Sequence, residues 1–540
     1  MLSFEPFGEA ALLFRSAESG EIEATCFRLA QNLPEFVTDV ACTRHTGLAT
    51  FDPSLADPEA AETAVREAAA EAPGTRRPPR EMNIAVVLDG EDLAALLDDA
   101  DVGLEDFAEE LASKAFPVAH LGFAPGFVYL DGLSQRFRRP RRASPRTRVP
   151  AGSIAIGGPY LGIYGTASPG GWNLVGTTRQ RLFDERQDPP MDLLPGDGIR
   201  FTVVSSHEES PPVVTDTAPS DPSARPALEV LEGSGTACIE DAGRRGSGIW
   251  AVPRSGAADP WAIRLANMLV GNAPEAPAIE IPLGRMVVRA LATLHLAACG
   301  AGLEIHVDGL PVPAGHCFPV ASGQIVTVSA SPISTYGYLA VAGGLSVERA
   351  FGSASYDRLS GFGPPTLAPH QTLHALEPAA PPRDHLAAGA DKRRTVRVVA
   401  GPHLDRFSED ERRHLVRAAF TVSSSSSRVG VRLEGASFAE RENRTLAESE
   451  PLTLGSIQVP PGGEPIVMLA DHPVTGGYPV IATVILADLD LVAQARPGTA
   501  LGFTYVEAEQ ARSAYRDRLA RESALLVGNR PFDELRSAGR

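Results

Sequence analysis

Short apolar runs punctuated by glycine and proline fill most of this chain, and four stretches replace them with helical texture. "NIAVVL" (83–88) and "DGIRFTVV" (197–204) have the length and β-branched content of strands. Against this background "DPEAAETAVREAAAEA" (57–72) is rich in helix formers, opens on Asp-Pro and is broken by "PGTRRPPR". "LEDFAEELASKA" (104–115) and "EAEQARSAYRDRLARE" (507–522) have helical spacing. "ADPWAIRLANMLVGN" (258–272) predicts a buried helix with Asp259 as N-cap, Pro260 in the first position and Gly271 near the stop. The expected fold class is mainly β with α+β parts.

Two polar breaks set the expected domains. Residues 205–226, "SSHEESPPVVTDTAPSDPSARP", hold too few large apolar side chains to pack and read as a linker. A second Pro/Ala-rich break lies at 377–394. The expected order is a small α+β domain over 1–80, a barrel over 81–204, the linker, β-rich units over 227–390 and 391–508, and a helical tail over 509–540. Three signals recur in one order about 300 residues apart, the signature of a duplicated unit. "VPAGSIAI" (149–156) pairs with "VPPGGEPIVML" (459–469), "SPGGWNLVG" (168–176) with "VTGGYPVIA" (474–482), and "LPGDGIRFTVV" (194–204) with "RPGTALGFTYV" (496–506). Two barrels of one kind explain the pairs, and a fainter echo at 312–328 suggests a third.

Composition removes several function classes. The 540 residues are 43% apolar and 21% charged, ordinary for a multidomain globular chain. No window approaches the roughly 18 apolar residues of a membrane span, and the first residues carry neither a basic start nor a cleavage-like site. No membrane partner is expected, and the cytoplasm is the expected compartment. A net charge of −18 repels nucleic acid, so no such partner is expected either. The five cysteines are scattered and form no CxxC pair, His370 and His374 lack further ligands, and no metal site is read. Lys114 and Lys392 are the only lysines among 49 basic residues, and neither stands in a Walker A loop, a biotin-carrier turn or a Ser-Ser-Lys amidase setting. Covalent biotin on this chain is therefore excluded.

"LGFAPGFVYLDGL" (121–133), "PRRASPRTRVPAGSIAIGG" (140–158) and "GIYGTASPGGWNLVGTT" (162–178) resemble the carboxyltransferase-domain subfamily-1 proteins, which include the B subunit of bacterial 5-oxoprolinase and the sporulation kinase inhibitor. "EDAGRRGSGIWAVPRSGAADPWAIRLANMLVGN" (240–272), "YLAVAGGL" (338–345), "GSIQVPPGGEPIVMLADHPVTGGYPVIATV" (455–484) and "AQARPG" (493–498) resemble the subfamily-2 partner, the C subunit. The resemblance implies a natural B–C fusion with cyclophilin-like β-barrels, one in the N-terminal half and two in the C-terminal half. It implies ATP-dependent opening of 5-oxoproline to glutamate, with Mg2+ accompanying the nucleotide and a separate partner like the A subunit of 5-oxoprolinase; homo-oligomers are compatible with it. Two alternatives stay open: the carboxyltransferase component of a biotin-dependent, urea carboxylase-like system, and a non-catalytic kinase-inhibitor-like regulator. One departure stands out. Many subfamily-1 members carry a His-Thr pair where this chain has Leu111 and Ala112.

The chemistry-bearing candidates follow from these motifs. "RFRRPRRASPRTR" (136–148) puts seven arginines in thirteen positions, and Arg141, Arg142 and Arg146 fall on the family motif. Guanidinium forks match carboxylate or phosphate oxygens, so the three either hold a substrate anion or pair with acidic side chains of the protein. Gly170 and Gly171, with Thr475, Gly476 and Gly477, offer backbone N–H groups in turns that could cradle an anion; plain turn geometry explains them equally well. Trp172 and Tyr478 are candidates to stack on a planar ring or to plug a barrel. Asp471 and His472 are the acid/base candidates, although adjacent strand positions face opposite ways. The serine run 423–427 reads as a solvated loop.

Overall fold

The computed structural model describes residues 2–528 apart from 19, 71–77, 143–145, 208–220, 234, 331–334, 384–392, 442–443 and 447. Most of the expected linker and Lys392 thus lie outside the described residues. The first strands, Ser3–Pro6 and Ala11–Arg15, join Thr46–Phe51 and Val37–Cys42 in an antiparallel sheet of that order. Helices Glu21–Gln31 and Pro58–Ala70 cover it, burying Ile22, Cys26, Leu29 and Val65 against Phe14, Val37 and Val40. The Asp-Pro start works as the sequence predicts: Asp57 Oδ1 accepts the Ala60 N–H at 2.9 Å.

Seven strands follow, in the order Asn173–Thr177, Ser153–Gly157, Tyr160–Ile163, Val128–Leu130, Ala115–Leu121, Gly198–Val203 and Glu81–Val86. A bridge between Val87 and Thr177 joins the two outer strands. Alternation fills the interior, with Ile84 and Val86 buried on one face of their strand. Helix Leu104–Ala112 packs Phe107 and Leu111 into this core. Leu111, where the family resemblance implies a histidine, is a fully buried packing residue.

Over 225–375 a seven-stranded and a five-stranded sheet enclose one apolar cluster that includes Leu228, Val288, Leu296 and Leu339. Between this unit and the next runs helix Pro260–Leu269, capped as expected by Asp259, whose Oδ1 accepts the N–H groups of Trp261 and Ala262 at 3.0 Å. The last unit is a closed barrel in the order Thr395–Ala400, Val480–Val484, Ser456–Gln458, Ile466–Met468, Gly430–Glu434, Phe420–Val422 and Ala500–Tyr505. Helix Ala508–Gly528 then lies back over the protein, with Tyr515 and Arg518 against the Trp261 ring.

The two barrels share one strand order. In each, the last strand runs parallel to the first, Gly198–Val203 beside Glu81–Val86 and Ala500–Tyr505 beside Thr395–Ala400. Each also carries an outlying two-stranded flap, Arg146–Val149 with Ser168–Gly170 and Glu450–Pro451 with Thr475–Gly476. This corrects the first pair of the repeat. The strand equivalent to Ser153–Gly157 is Ser456–Gln458, so "GSIAI" (152–156) matches "GSIQV" (455–459); matching Val-Pro turns had slipped the comparison by one strand. Gly152 and Gly455 hold φ of 81° and 83°, and a Cβ on either would strike the carbonyl of the neighbouring strand, Thr178 or Val484.

Candidate functional site

Asp471 and His472 part within a turn in which His472 N–H donates to the Leu469 carbonyl at 3.0 Å. Ala470, His472 and Val474 line a cavity of 220 Å3. Its other walls come from both ends of the chain: Thr38 and Asp39 of the first sheet, Arg254, Ser255 and Trp261 beside the Asp259-capped helix, and Tyr515 of the last helix. His472 Nδ1 lies 2.9 Å from the Pro473 carbonyl, which can only accept, so Nδ1 carries the proton and Nε2 keeps its lone pair. Burial lowers the His472 pKa, which keeps the ring neutral and able to take a proton. Burial likewise lifts Asp39 to about 6, although its Oδ1 accepts N–H groups from Val40 and Gly248 at 2.9 Å. Ser255 is held at φ 53°, a left-handed backbone that costs a non-glycine residue free energy, and its buried Oγ has no partner.

On the other side Asp471 is occupied by Arg428. Nε and Nη2 of Arg428 each donate to Asp471 at 2.9 Å, Nη1 to Glu280 at 2.5 Å and Nη2 to the Gly256 carbonyl at 2.6 Å. Glu240 is 3.4 Å away, and burial raises its pKa well above the carboxylate range despite the nearby guanidinium. Asp471 thus fixes a buried cation and lines neither face of the His472 cavity. Cys238, Glu240 and Glu280 bring ligand atoms within 4.8 Å of one another, but the positive charge among them is that guanidinium.

The flap of the C-terminal barrel meets the N-terminal barrel along a seam. Phe123 N–H donates to Thr475 Oγ1 at 3.1 Å, and the buried Tyr129 hydroxyl bonds the side chains of Ser449 and Thr475. His120 stacks on Tyr129 with ring centroids 4.0 Å apart; its Nδ1 is buried without a partner, and burial pushes its pKa down to about 3. Arg141 reaches this seam, with Nη2 3.5 Å from Ser449 Oγ and Nη1 against Gly477.

The other motif arginines turn away. Arg146 Nη2 lies 2.9 and 2.8 Å from the Asp92 oxygens and 3.1 Å from Glu91, and Arg142 Nη1 is 2.8 Å from Asp92. Burial alone would lift Asp92, but these hydrogen bonds and charges, with the Leu174 N–H, hold it below the usual carboxylate range. The glycines form no positive-φ cradle, since none of Gly170, Gly171, Gly476 and Gly477 has positive φ. They are small because neighbours come close: a Cβ on Gly170 would stand 2.2 Å from the Tyr164 hydroxyl, and one on Gly476 2.5 Å from Gln458 Nε2. Trp172 is 5% exposed with its ring packed on Phe127 and Tyr129, so it plugs the barrel. Tyr478 is half-buried, and its carbonyl accepts from Gln458 Nε2 at 3.1 Å. Sequence reasoning missed Asp39, Ser255, His120 and Arg428. Of these only Asp39 left a trace, a carboxylate within the strand "VTDVAC" (37–42).

Two barrels of identical strand order define a two-part carboxyltransferase-type chain, and it belongs to the carboxyltransferase-domain family: subdomain C and D matches residues 2–193, and subdomain A and B matches residues 250–505. It is 33% identical over 290 residues to the C subunit of 5-oxoprolinase from Haemophilus influenzae, covering 53% of this chain and 93% of that protein. It is 46% identical over 112 residues to the B subunit of 5-oxoprolinase from Escherichia coli O157:H7, covering 21% of this chain and 51% of that protein. The crystal structure of TTHA0988 superposes with a TM-score of 0.82 at 32% identity, covering 93% of this chain and all of that one. Urea amidolyase of Lachancea kluyveri is more distant, 29% identical over 315 residues and 17% of its length.

Proposed function

We propose that this chain is the fused B–C component of an ATP-dependent 5-oxoprolinase, acting in the cytoplasm with a separate partner of the A type to hydrolyse 5-oxoproline to glutamate. One observation carries the reading: a single chain aligns in succession with a B and a C polypeptide of 5-oxoprolinase, and its fold encloses the His472 cavity at their junction. The more distant likeness to urea amidolyase leaves the carboxyltransferase alternative less favoured.

The residues suit a small anionic ring. A volume of 220 Å3 lies below the roughly 300 Å3 at which pockets begin to take drug-sized ligands. The cavity is of the size of a single ring, and we assign ATP and its Mg2+ to the boundary with the partner. ATP supplies the activation that a lactam carbonyl, a poor electrophile, requires. Within the cavity Arg254 offers a guanidinium to the substrate carboxylate and Ser255 its unpartnered hydroxyl. His472 Nε2 accepts the proton of the attacking water, and Asp39, poised near 6, is the second group able to exchange one.

Mixing the purified chain with its A-type partner, ATP and 5-oxoproline tests the reading, with glutamate and ADP expected in equal amounts. Biotin-dependent carboxyl transfer without glutamate, or inhibition of a kinase without turnover, overturns it.

A further inference from the structure

A second cavity, of 330 Å3, opens along the seam away from His472, where Arg148 and Ser168 of the N-terminal flap face Arg358, Ser427 and Arg428. Its guanidinium groups are unequally partnered. Arg428 is answered by Asp471 and Glu280, but neither Arg148 nor Arg358 makes an ion pair among the described residues. Arg358 donates from Nη2 to the Thr236 carbonyl and lies 3.6 Å from Cys238 Sγ, while its buried Nε has no partner. Ser168 is 2% exposed and lines this cavity with its Oγ also unpartnered. Buried hydroxyls and guanidinium N–H groups are costly to leave unbonded, and beside the unpartnered Ser168 Oγ and Arg358 Nε the exposed Arg148, without an ion pair among the described residues, favours a negative ligand with several acceptor oxygens.

We propose that this cavity binds an oxyanion, a phosphate or carboxylate group, gripped from the N-terminal half by Arg148 and Ser168 and from the C-terminal half by Arg358 and Ser427. The ligand bridges the two halves, so its binding stabilises their docking by mass action. Neither half holds the full donor set. The site is separate from the His472 cavity, and its occupancy is measured without turnover.

Titration calorimetry and thermal unfolding of the full chain with inorganic phosphate, ATP, 5-oxoproline and the carboxamide of 5-oxoproline test this. Expected are one bound oxyanion per chain and an unfolding temperature that rises with its concentration. Binding of 5-oxoproline, but not its carboxamide, that Arg148→Met weakens identifies a carboxylate at this site as distinct from the His472 cavity; binding of phosphate and ATP that Arg148→Met weakens, with 5-oxoproline binding unchanged, identifies a phosphoryl group. Arg148→Met should weaken affinity about tenfold or more, as losing one charge-assisted pair implies, and Ser168→Ala should weaken it less. Both should unfold at the wild-type temperature without ligand, because Arg148 is exposed and Ser168 Oγ has no partner to lose. Arg142→Met, whose guanidinium pairs with Asp92, should bind as wild type. No binding at millimolar concentrations, or undiminished binding by Arg148→Met, overturns the proposal.

Discussion

The Phe123 N–H and the Thr475 hydroxyl meet at 3.1 Å across 352 residues of sequence. Phe123 is held there at φ 67°, unfavourable for a bulky side chain, so the bond secures a strained corner as well as the seam. Thr475→Val should cost about 1–3 kcal/mol, the penalty of an unsatisfied polar group. Thr475→Ser should recover most of it, and denaturant midpoints of the two variants check this.

Arg428 is 2% exposed among Asp471, Glu280 and Glu240. Arg428→Met leaves buried carboxylates without their cation and should destabilise by about 3–5 kcal/mol. Adding Asp471→Asn should restore part of that loss. A double-mutant cycle reads the coupling, and strict additivity would show that the cluster does not act as a unit.

His472 lines the cavity with Nδ1 committed to the Pro473 carbonyl, and burial lowers its pKa so that the ring stays unprotonated into mildly acidic solution. His472→Gln should reduce glutamate formation about 10²–10⁴-fold with little change in unfolding temperature. In the wild type the acid limb of kcat/KM should fall below the ordinary histidine value of about 6.5, read from a pH–rate profile.

Two buried groups give stability opposite pH dependences. Glu9 accepts the Leu486 N–H at 2.5 Å, and burial lifts it from 4.5 to about 7. Its folded form binds protons more tightly than the unfolded form, so the stability it confers is complete below 4.5 and lost as pH rises through 7, on the order of 3 kcal/mol. His120, lowered to about 3, confers stability above 6.5 that is lost as pH falls toward 3. Glu9→Gln should remove the decline between pH 5 and 8, and His120→Phe should blunt the loss on the acid side. Denaturant titrations from about pH 3 to about pH 8 check both.

Local signals in the sequence are faithful where a residue's role is local. The Asp259 cap, the helix after Asp57 and the strand around Ile84 depend on near neighbours, and each is found where the pattern places it. Roles created by distant closure are not legible. The seven arginines of 136–148 look alike in sequence, yet Asp92 takes Arg142 and Arg146 while Arg141 turns to Ser449, more than 300 residues away in sequence. Nothing near Ser255 marks it as a strained residue beside His472, because the wall it shares is assembled from both ends of the chain. The glycines 170 and 476 are visible, but their reason, close approach of Tyr164 and Gln458, is not.

The polypeptide that connects the halves through 205–226 changes what their seam has to achieve. A covalent connection raises the effective concentration of one half at the other, so the polar contact of Phe123 with Thr475 and the apolar cluster that joins Phe7, Ala11, Leu13 and Leu48 to Leu452, Met468 and Val480 form without a dilution-dependent encounter. Cleaving the chain between the halves would make their assembly depend on dilution.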